Sequence, residues 1–138
     1  MGIQQISVFL ENTTGRILEV TRTLAKAQLN LRAISIADTA DFGILRLIVD
    51  KPEEAISALT AAGFTARQTP VVAVEIDDTP GSLSALLELF QKEGINIEYL
   101  YASLEGKQGK AIVIFKLADN EKGFAILLNS GLTLAENF

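Results

Sequence analysis

The sequence predicts an α+β protein that consists of two consecutive copies of one strand–helix–strand–strand–helix–strand unit. The first observation is an internal repeat, because the segment Glu11–Ile17 returns as Asp77–Leu83, 66 positions later. The second is that Leu29-Asn30-Leu31 returns as Ile95-Asn96-Ile97 at the same displacement. The third is the spacing of apolar residues, which has the period of a strand before each repeated turn and of a helix after it. One displacement that serves both segments indicates that the chain carries the same unit twice.

The first strand and the first helix of each copy follow from the spacing of apolar residues. Alternation predicts the strand, with apolar side chains at Ile6, Val8 and Leu10 and again at Val72, Val74 and Ile76. Spacings of three and four predict the helix, with apolar side chains at Ile17, Val20 and Leu24 and again at Leu83, Leu86, Leu87 and Phe90. Asn30 and Gly94 lie where these helices are expected to end, because both tolerate the left-handed backbone that stops a helix.

The remaining elements repeat in the same order. The second and third strands are expected near 31–37 and 44–49, and again near 97–103 and 111–117. Pro52 and the acidic residues after it predict the start of a second helix, which Gly63 closes. A short last strand is expected at Thr65–Arg67, whereas the end of the second copy has little room for its equivalent. This order is that of the ferredoxin-like fold, with an antiparallel sheet and two helices on one face.

We therefore assign residues 1–69 to the first repeat and residues 70–138 to the second. Composition limits what these repeats can do. Hydrophobic residues make up 49% of the chain and charged residues 21%, which excludes a disordered chain. The net charge is −5 and the basic residues are scattered, so neither nucleic acid nor an anionic membrane is expected as a partner.

Catalysis and cofactor binding are not expected. The chain lacks histidine and cysteine, which removes the commonest general base, thiolate chemistry and most transition-metal ligands. The acidic pair Asp77-Asp78 has no partner acid in view. We predict no catalytic residues, no metal and no cofactor. No apolar run reaches the ~20 residues of a membrane span, and no signal peptide is visible, so a cytoplasmic location is expected.

The turn between the first strand and the first helix is the strongest candidate for a binding site. Thr13 and Thr79 are suitable N-cap residues, and Pro80 lies where the first helical residue is expected. Gly15 and Gly81 have no side chain that would separate a ligand from the backbone. The first amides of a helix lack internal partners and lie at its positive end, which suits a carboxylate. The alternative is that these residues only cap a helix.

The second turn, with the segment that follows its helix, resembles the signature of the ACT domain. The resemblance rests on Asp77–Leu83 followed by Gly94–Glu98, and a looser copy is formed by Asn12–Ile17 with Leu29–Leu31. It covers essentially the whole chain. The chain is similar to stand-alone tandem ACT proteins and to the regulatory region of aspartokinases without the catalytic part.

The resemblance implies a non-catalytic regulatory module that binds a free amino acid or a similar small metabolite where two ACT units meet. It also implies a homodimer and, through it, control of a metabolic enzyme. In the family, the turn holds the polar head of the effector and the start of the second strand closes the other side. One implied site combines Asn12, Thr14, Gly15, Arg16 and Ile17 with Asn96, Ile97 and Glu98; the other combines Asp78, Pro80, Gly81, Ser82 and Leu83 with Asn30, Leu31 and Arg32. Which combination forms, and whether it forms within or between chains, stays open.

The two copies differ where a ligand would bind. Thr14 replaces the usual proline, and Arg16 either pairs with an effector carboxylate or is a solvated residue of the first helical turn. Arg32 and Glu98 are equivalent positions of opposite charge, so the two sites have different preferences unless both residues are merely exposed on their strands. The alternative function is a ligand-independent protein–protein interaction or oligomerisation module that acts on a metabolic enzyme.

Overall fold

The computed structural model describes residues 2–38, 41–104 and 106–136, and it divides the chain into two compact units. The first unit is Gln4–Thr69, and the second is Pro70–Phe138 together with Met1–Ile3. The elements are β1 (Ile3–Glu11), α1 (Arg16–Lys26), β2 (Leu31–Asp38), β3 (Phe42–Val49), α2 (Pro52–Ala61), β4 (Thr65–Asp77), α3 (Ser82–Lys92), β5 (Ile97–Ala102), β6 (Lys110–Leu117), α4 (Asn120–Asn129) and β7 (Thr133–Leu134). This order confirms the predicted fold class of two βαββαβ repeats.

The first unit has an antiparallel sheet in which β3 lies between β2 and β1. Val8 is opposite Leu45 in this sheet. The part of β4 that belongs to this unit lies next to β1 in the sheet, where the hydroxyls of Ser7 and Thr69 are 3.0 Å apart. Helices α1 and α2 cover one face. The core between helices and sheet consists of Ile6, Val8, Leu10, Val20, Leu24, Leu29, Leu45, Leu47, Val49, Ala55, Leu59 and Phe64.

The second unit repeats this arrangement with β6 between β4 and β5. The rings of Phe90 and Phe115 meet edge to face at 5.3 Å in its core. The core consists of Val72, Val74, Leu86, Phe90, Ile95, Val113, Phe115, Leu117 and Leu127. A last strand is present after all, because the short β7 pairs with β4 and places Leu134 opposite Val74.

Three details of the predicted elements are wrong. The last strand of the first repeat and the first strand of the second are one continuous strand, β4, which passes through Pro70. The helices begin later than predicted, because Gly15 and Gly81 are the N-cap residues, with φ of 90° and 89°. Left-handed glycines turn the chain sharply, so Pro80 precedes the helix instead of opening it. Thr13 contributes its carbonyl oxygen, which accepts from the Arg16 amide at 3.4 Å, and no side-chain cap bond forms.

The end of the first helix also differs from the prediction. Gln28, not Asn30, adopts the left-handed backbone with φ of 57°, and Gly94 does so at the equivalent position with φ of 68°. The Leu29 amide then donates to the Leu24 carbonyl at 2.9 Å, which closes the last turn of α1. In the described part of the chain, no helix is both long and apolar enough to cross a membrane.

Candidate functional site

The turn before the first helix of each unit is exposed and anchored by its backbone. We call Asn12–Ile17 the first turn and Asp78–Leu83 the second turn. The Asn12 amide donates to the Asp41 carbonyl and the Asp78 amide to the Gly109 carbonyl, each at 2.9 Å, so both turns are tied to the neighbouring β-hairpin. Of the predicted turn residues, Asn12, Thr14, Gly15, Ile17, Asp78, Pro80, Gly81 and Leu83 are exposed, whereas Arg16 and Ser82 are half-buried.

The amides at the helix starts remain available. Within the described residues, the amides of Gly15 and Gly81 donate to no main-chain carbonyl, and the same holds for Ile17 and Leu83. The Ser82 amide is used, since it donates to the Thr79 carbonyl at 3.2 Å. Two exposed donors at the positive end of each helix are therefore free to bind an anion. The turns therefore present main-chain amides at a glycine N-cap, and the threonine N-caps predicted from the sequence do not form.

The other predicted half of the site lies at the far end of the helix in each unit. Helix α1 has 11 residues and is therefore about 16 Å long. Asn30, Leu31 and Arg32 follow its last turn, whereas the first turn precedes it. The same separation holds for Asn96, Ile97 and Glu98 relative to the second turn. A unit does not bring its own turn and its own second strand together, so a site of the predicted kind needs two units.

The predicted strand positions differ in their surroundings. The Asn30 carbonyl accepts from the Asp50 amide at 3.3 Å and the Asn96 carbonyl from the Ala118 amide at 2.9 Å, so the two segments share their backbone anchor. Leu31, Ile97 and Arg32 are half-buried, whereas Asn30, Asn96 and Glu98 are exposed. A Glu98 carboxylate oxygen lies 3.4 Å from Lys116 Nζ, which partly offsets its charge.

Sequence reasoning missed a cleft beside each turn. In the second unit it has a volume of about 360 Å³ and is lined by Ile76, Asp77, Ser82, Ala85, Leu86, Leu89, Ser130 and Leu132. We call it the second cleft. The only signal in the sequence is the apolar stripe of α3, which also includes Leu89 and is wider than one core face needs. The cleft forms where α3 meets the turn between α4 and β7.

The first unit has a cleft beside its own turn, which we call the first cleft, and four of its lining residues are equivalent to lining residues of the second cleft: Leu10, Glu11, Arg16 and Phe64. It has a volume of about 250 Å³ and is lined by Phe9, Leu10, Glu11, Arg16, Phe42, Gly63, Phe64 and Thr65. Arg16 is equivalent to Ser82, and Phe64 is equivalent to Leu132. Two larger side chains therefore replace two smaller ones, and the first cleft is the smaller of the two.

Arg16 lies in the first cleft. Its guanidinium carbon is 4.8 Å from the centre of the Phe64 ring, and its Nη1 is 2.7 Å from a Glu19 carboxylate oxygen. Its Nε is buried and has no hydrogen-bond partner among the described residues. The cation is thus held by an aromatic ring and an acid of the same unit.

The acid in the second cleft is already paired. A carboxylate oxygen of Asp77 accepts a short hydrogen bond from Lys110 Nζ. This hydrogen bond and the negative charge of Asp77 raise the pKa of Lys110 above its usual value. The first unit has the apolar Phe42 at the position that pairs with its acid, Glu11, whereas the second unit has Lys110 opposite Asp77. Over the described residues, no three acidic, histidine or cysteine side chains gather as a metal site would require.

A family of known proteins and several solved structures resemble this chain. A family model described as an ACT domain pair matches residues 1–137, which confirms the resemblance predicted from the sequence. Protein BT0572 from Bacteroides thetaiotaomicron is 38% identical over 98% of this chain and 92% of its own, with a TM-score of 0.92. The ligand-free regulatory subunit of aspartate kinase from Thermus thermophilus is 18% identical over 93% of this chain and 92% of its own, with a TM-score of 0.69. No curated protein matches this sequence.

Proposed function

We propose that this chain, which belongs to the ACT domain pair family, is a non-catalytic regulatory module that binds a free amino acid or a similar small metabolite. The observation that carries the proposal is the doubled turn. In both units a left-handed glycine precedes a helix and leaves exposed amides at its positive end. Those donors suit the carboxylate that every free amino acid has.

The proposed sites combine a turn with the second strand of another unit. Within a unit the two halves are separated by the length of a helix, so the first turn needs Asn96, Ile97 and Glu98 of another unit. The second turn needs Asn30, Leu31 and Arg32 in the same way. We propose that residues 1–69 and 70–138 act as the two ACT repeats and that the chain forms a homodimer that controls a metabolic enzyme in the cytoplasm. This chain shares the fold of an aspartate kinase regulatory subunit, and that likeness supports the proposed regulatory role.

A ligand-independent interaction module is the second candidate. It is favoured by large apolar side chains on the surface of the first unit, where Phe42 is 61% exposed and Ile36 is 48% exposed. Exposed apolar groups of this size mark contact surfaces when they cluster. A stable complex with a partner protein that no amino acid changes would favour this candidate.

The test is thermal unfolding of the full chain with each of the twenty common amino acids. A ligand at about 100 times its Kd should raise the free energy of unfolding by about 2.7 kcal/mol. We expect at least one amino acid to do so, and Gly81→Ala to weaken its binding because φ there is 89°. Gly94→Ala is the matched control, since its φ is also positive, at 68°, but it lies outside both turns and both clefts. A panel without any shift would contradict the proposal.

Sedimentation of the same samples tests the oligomer. One chain already has two units, so its state of assembly shows whether a site forms within one chain or between two. We expect a dimer. If the chain is monomeric and still binds amino acids, the whole site must instead form within one chain.

A further inference from the structure

We infer that the second cleft holds the uncharged aliphatic chain of a small carboxylate ligand, and that Arg16 and Phe64 narrow the first cleft and prevent the same binding there. This inference rests on the proposed function, because it assumes that the carboxylate binds at the second turn. Beyond the proposed function, it names the chemical class of the ligand and explains why the two units differ in binding it. The second cleft therefore determines the specificity of the site.

The second cleft offers apolar contacts. Five of its lining side chains are aliphatic: Ile76, Ala85, Leu86, Leu89 and Leu132. Burying the aliphatic chain of a ligand against them is favourable in proportion to the apolar area removed from water. A volume of about 360 Å³ lies at the small end of the usual range for ligand sites, which fits a molecule of amino-acid size.

The polar groups that line the second cleft already have partners. Asp77 is paired with Lys110, and the Ser130 hydroxyl donates to the Leu127 carbonyl at 2.7 Å. The hydroxyls of Ser82 and Thr79 are hydrogen-bonded at 2.7 Å. A charged side chain of a ligand would find no opposite charge that is free among the described lining residues. The cleft therefore favours an uncharged chain over a lysine-like or aspartate-like one.

Ser82 connects the cleft to the turn. It lines the second cleft and is also the first residue of α3, between the exposed amides of Gly81 and Leu83. A molecule whose carboxylate binds at these amides has its chain directly beside the aliphatic wall. Both a neutral aliphatic amino acid and the corresponding 2-oxo acid have this chemistry, and the test below separates them.

The first cleft is narrowed by side chains of its own unit. Arg16 stacks on Phe64 and buries its Nε without a hydrogen-bond partner among the described residues. An unsatisfied buried donor is unfavourable, yet the aromatic contact and Glu19 hold the side chain in place. The side chains of Arg16 and Phe64 thus reduce the first cleft to about 250 Å³, whereas the second cleft has about 360 Å³.

The experiment is isothermal titration calorimetry on the full chain with L-leucine, 4-methyl-2-oxopentanoate, L-lysine and L-aspartate. We expect leucine, the oxo acid or both to bind at one site per chain, at least tenfold more tightly than lysine or aspartate. Binding of leucine alone identifies an amino-acid site, and binding of both identifies recognition of the shared carboxylate and chain. Preference for a charged amino acid would overturn the inference and leave the proposed function standing. If none of the twenty amino acids and no oxo acid binds, the proposed function itself fails.

Exchanging the two units' residues tests the role of the clefts. Ser82→Arg and Leu132→Phe each give the second cleft the side chain that the first unit already accommodates, and we expect at least a tenfold loss of affinity. Ser84→Arg adds the same cation to an exposed position of α3 and should leave binding unchanged. The double variant Arg16→Ser with Phe64→Leu should add a second binding site per chain. Unchanged affinity of Ser82→Arg and Leu132→Phe, with both shown to be folded by circular dichroism, would overturn the inference, as would a single site in the folded double variant.

Discussion

The two turns have almost the same backbone, whereas the clefts beside them differ. Gly15 and Gly81 have φ of 90° and 89°, and each is followed by an 11-residue helix. Beside the first turn lie Arg16 and Phe64, and beside the second lie Ser82 and Leu132. The two units therefore share the backbone of the turn, while side chains of different size line the clefts beside it.

The cores of the two units differ in a compensating way. Leu117 and Gly123 in the second unit are equivalent to Val49 and Ala55 in the first, so a larger strand residue faces a smaller helix residue. A Cβ atom at Gly123 would overlap Cδ1 of Leu117 and would lie 3.7 Å from the ring of Phe90. The helix glycine of the second unit is explained by this lack of space.

The largest effect on stability is therefore expected from Gly123→Ala. Overpacking a core costs about 1–3 kcal/mol, and the better helix propensity of alanine offsets about 1 kcal/mol of it. We expect the free energy of unfolding in urea to fall by up to about 2 kcal/mol. The double variant with Leu117→Val recreates the pair of the first unit and should recover most of the loss. Stabilisation by Gly123→Ala alone would show that the two cores do not compensate in this way.

A smaller effect is expected where the first helix of each unit ends. Gln28 adopts φ of 57° where the second unit has Gly94, and a side chain in this conformation costs roughly 1 kcal/mol. Gln28→Gly should raise the free energy of unfolding by about 0.5–1 kcal/mol, and Gly94→Gln should lower it by about 1 kcal/mol. Thermal unfolding followed by circular dichroism measures both. Equal and negligible changes would mean that neither position is strained.

The smallest effect is expected from the ion pair between Asp77 and Lys110 in the second unit. Because the pKa of Lys110 is raised by Asp77, the pair stabilises the folded state below the unfolded-state pKa of about 10.4. That contribution is lost as the pH rises through the folded-state pKa. The difference in Tm between the wild type and Lys110→Met should therefore be small and should shrink at strongly alkaline pH. A difference that grows with pH would contradict this sign.

Local sequence patterns predicted the elements well because strands and helices depend on spacing along the chain. The alternation at Val72, Val74 and Ile76 and the helical stripe through Leu86 and Phe90 both lie in the core of the second unit. Precise ends were harder to predict. Threonine is a strong N-cap residue in general, but a glycine two residues later took that position by adopting a positive φ.

The clefts were beyond sequence reasoning because they depend on tertiary packing. Leu132 is more than forty residues from Leu89 in the sequence. Nothing in the local sequence indicates that the turn after α4 meets the face of α3. Arg16 illustrates the same limit, since its contact with Phe64 links the two ends of the first unit. The family resemblance located the turns but not the space beside them.

The most direct test of the account is a ¹⁵N–¹H correlation spectrum of the full chain during titration with L-leucine. The amides of Gly15 and Gly81 report the two turns separately, because each lies at the start of its own helix. We expect the Gly81 signal to shift with saturation while the Gly15 signal stays in place, and both to shift in the double variant Arg16→Ser with Phe64→Leu. A shift of Gly15 alone in the wild type, or saturable binding that moves neither signal, would contradict the central claim.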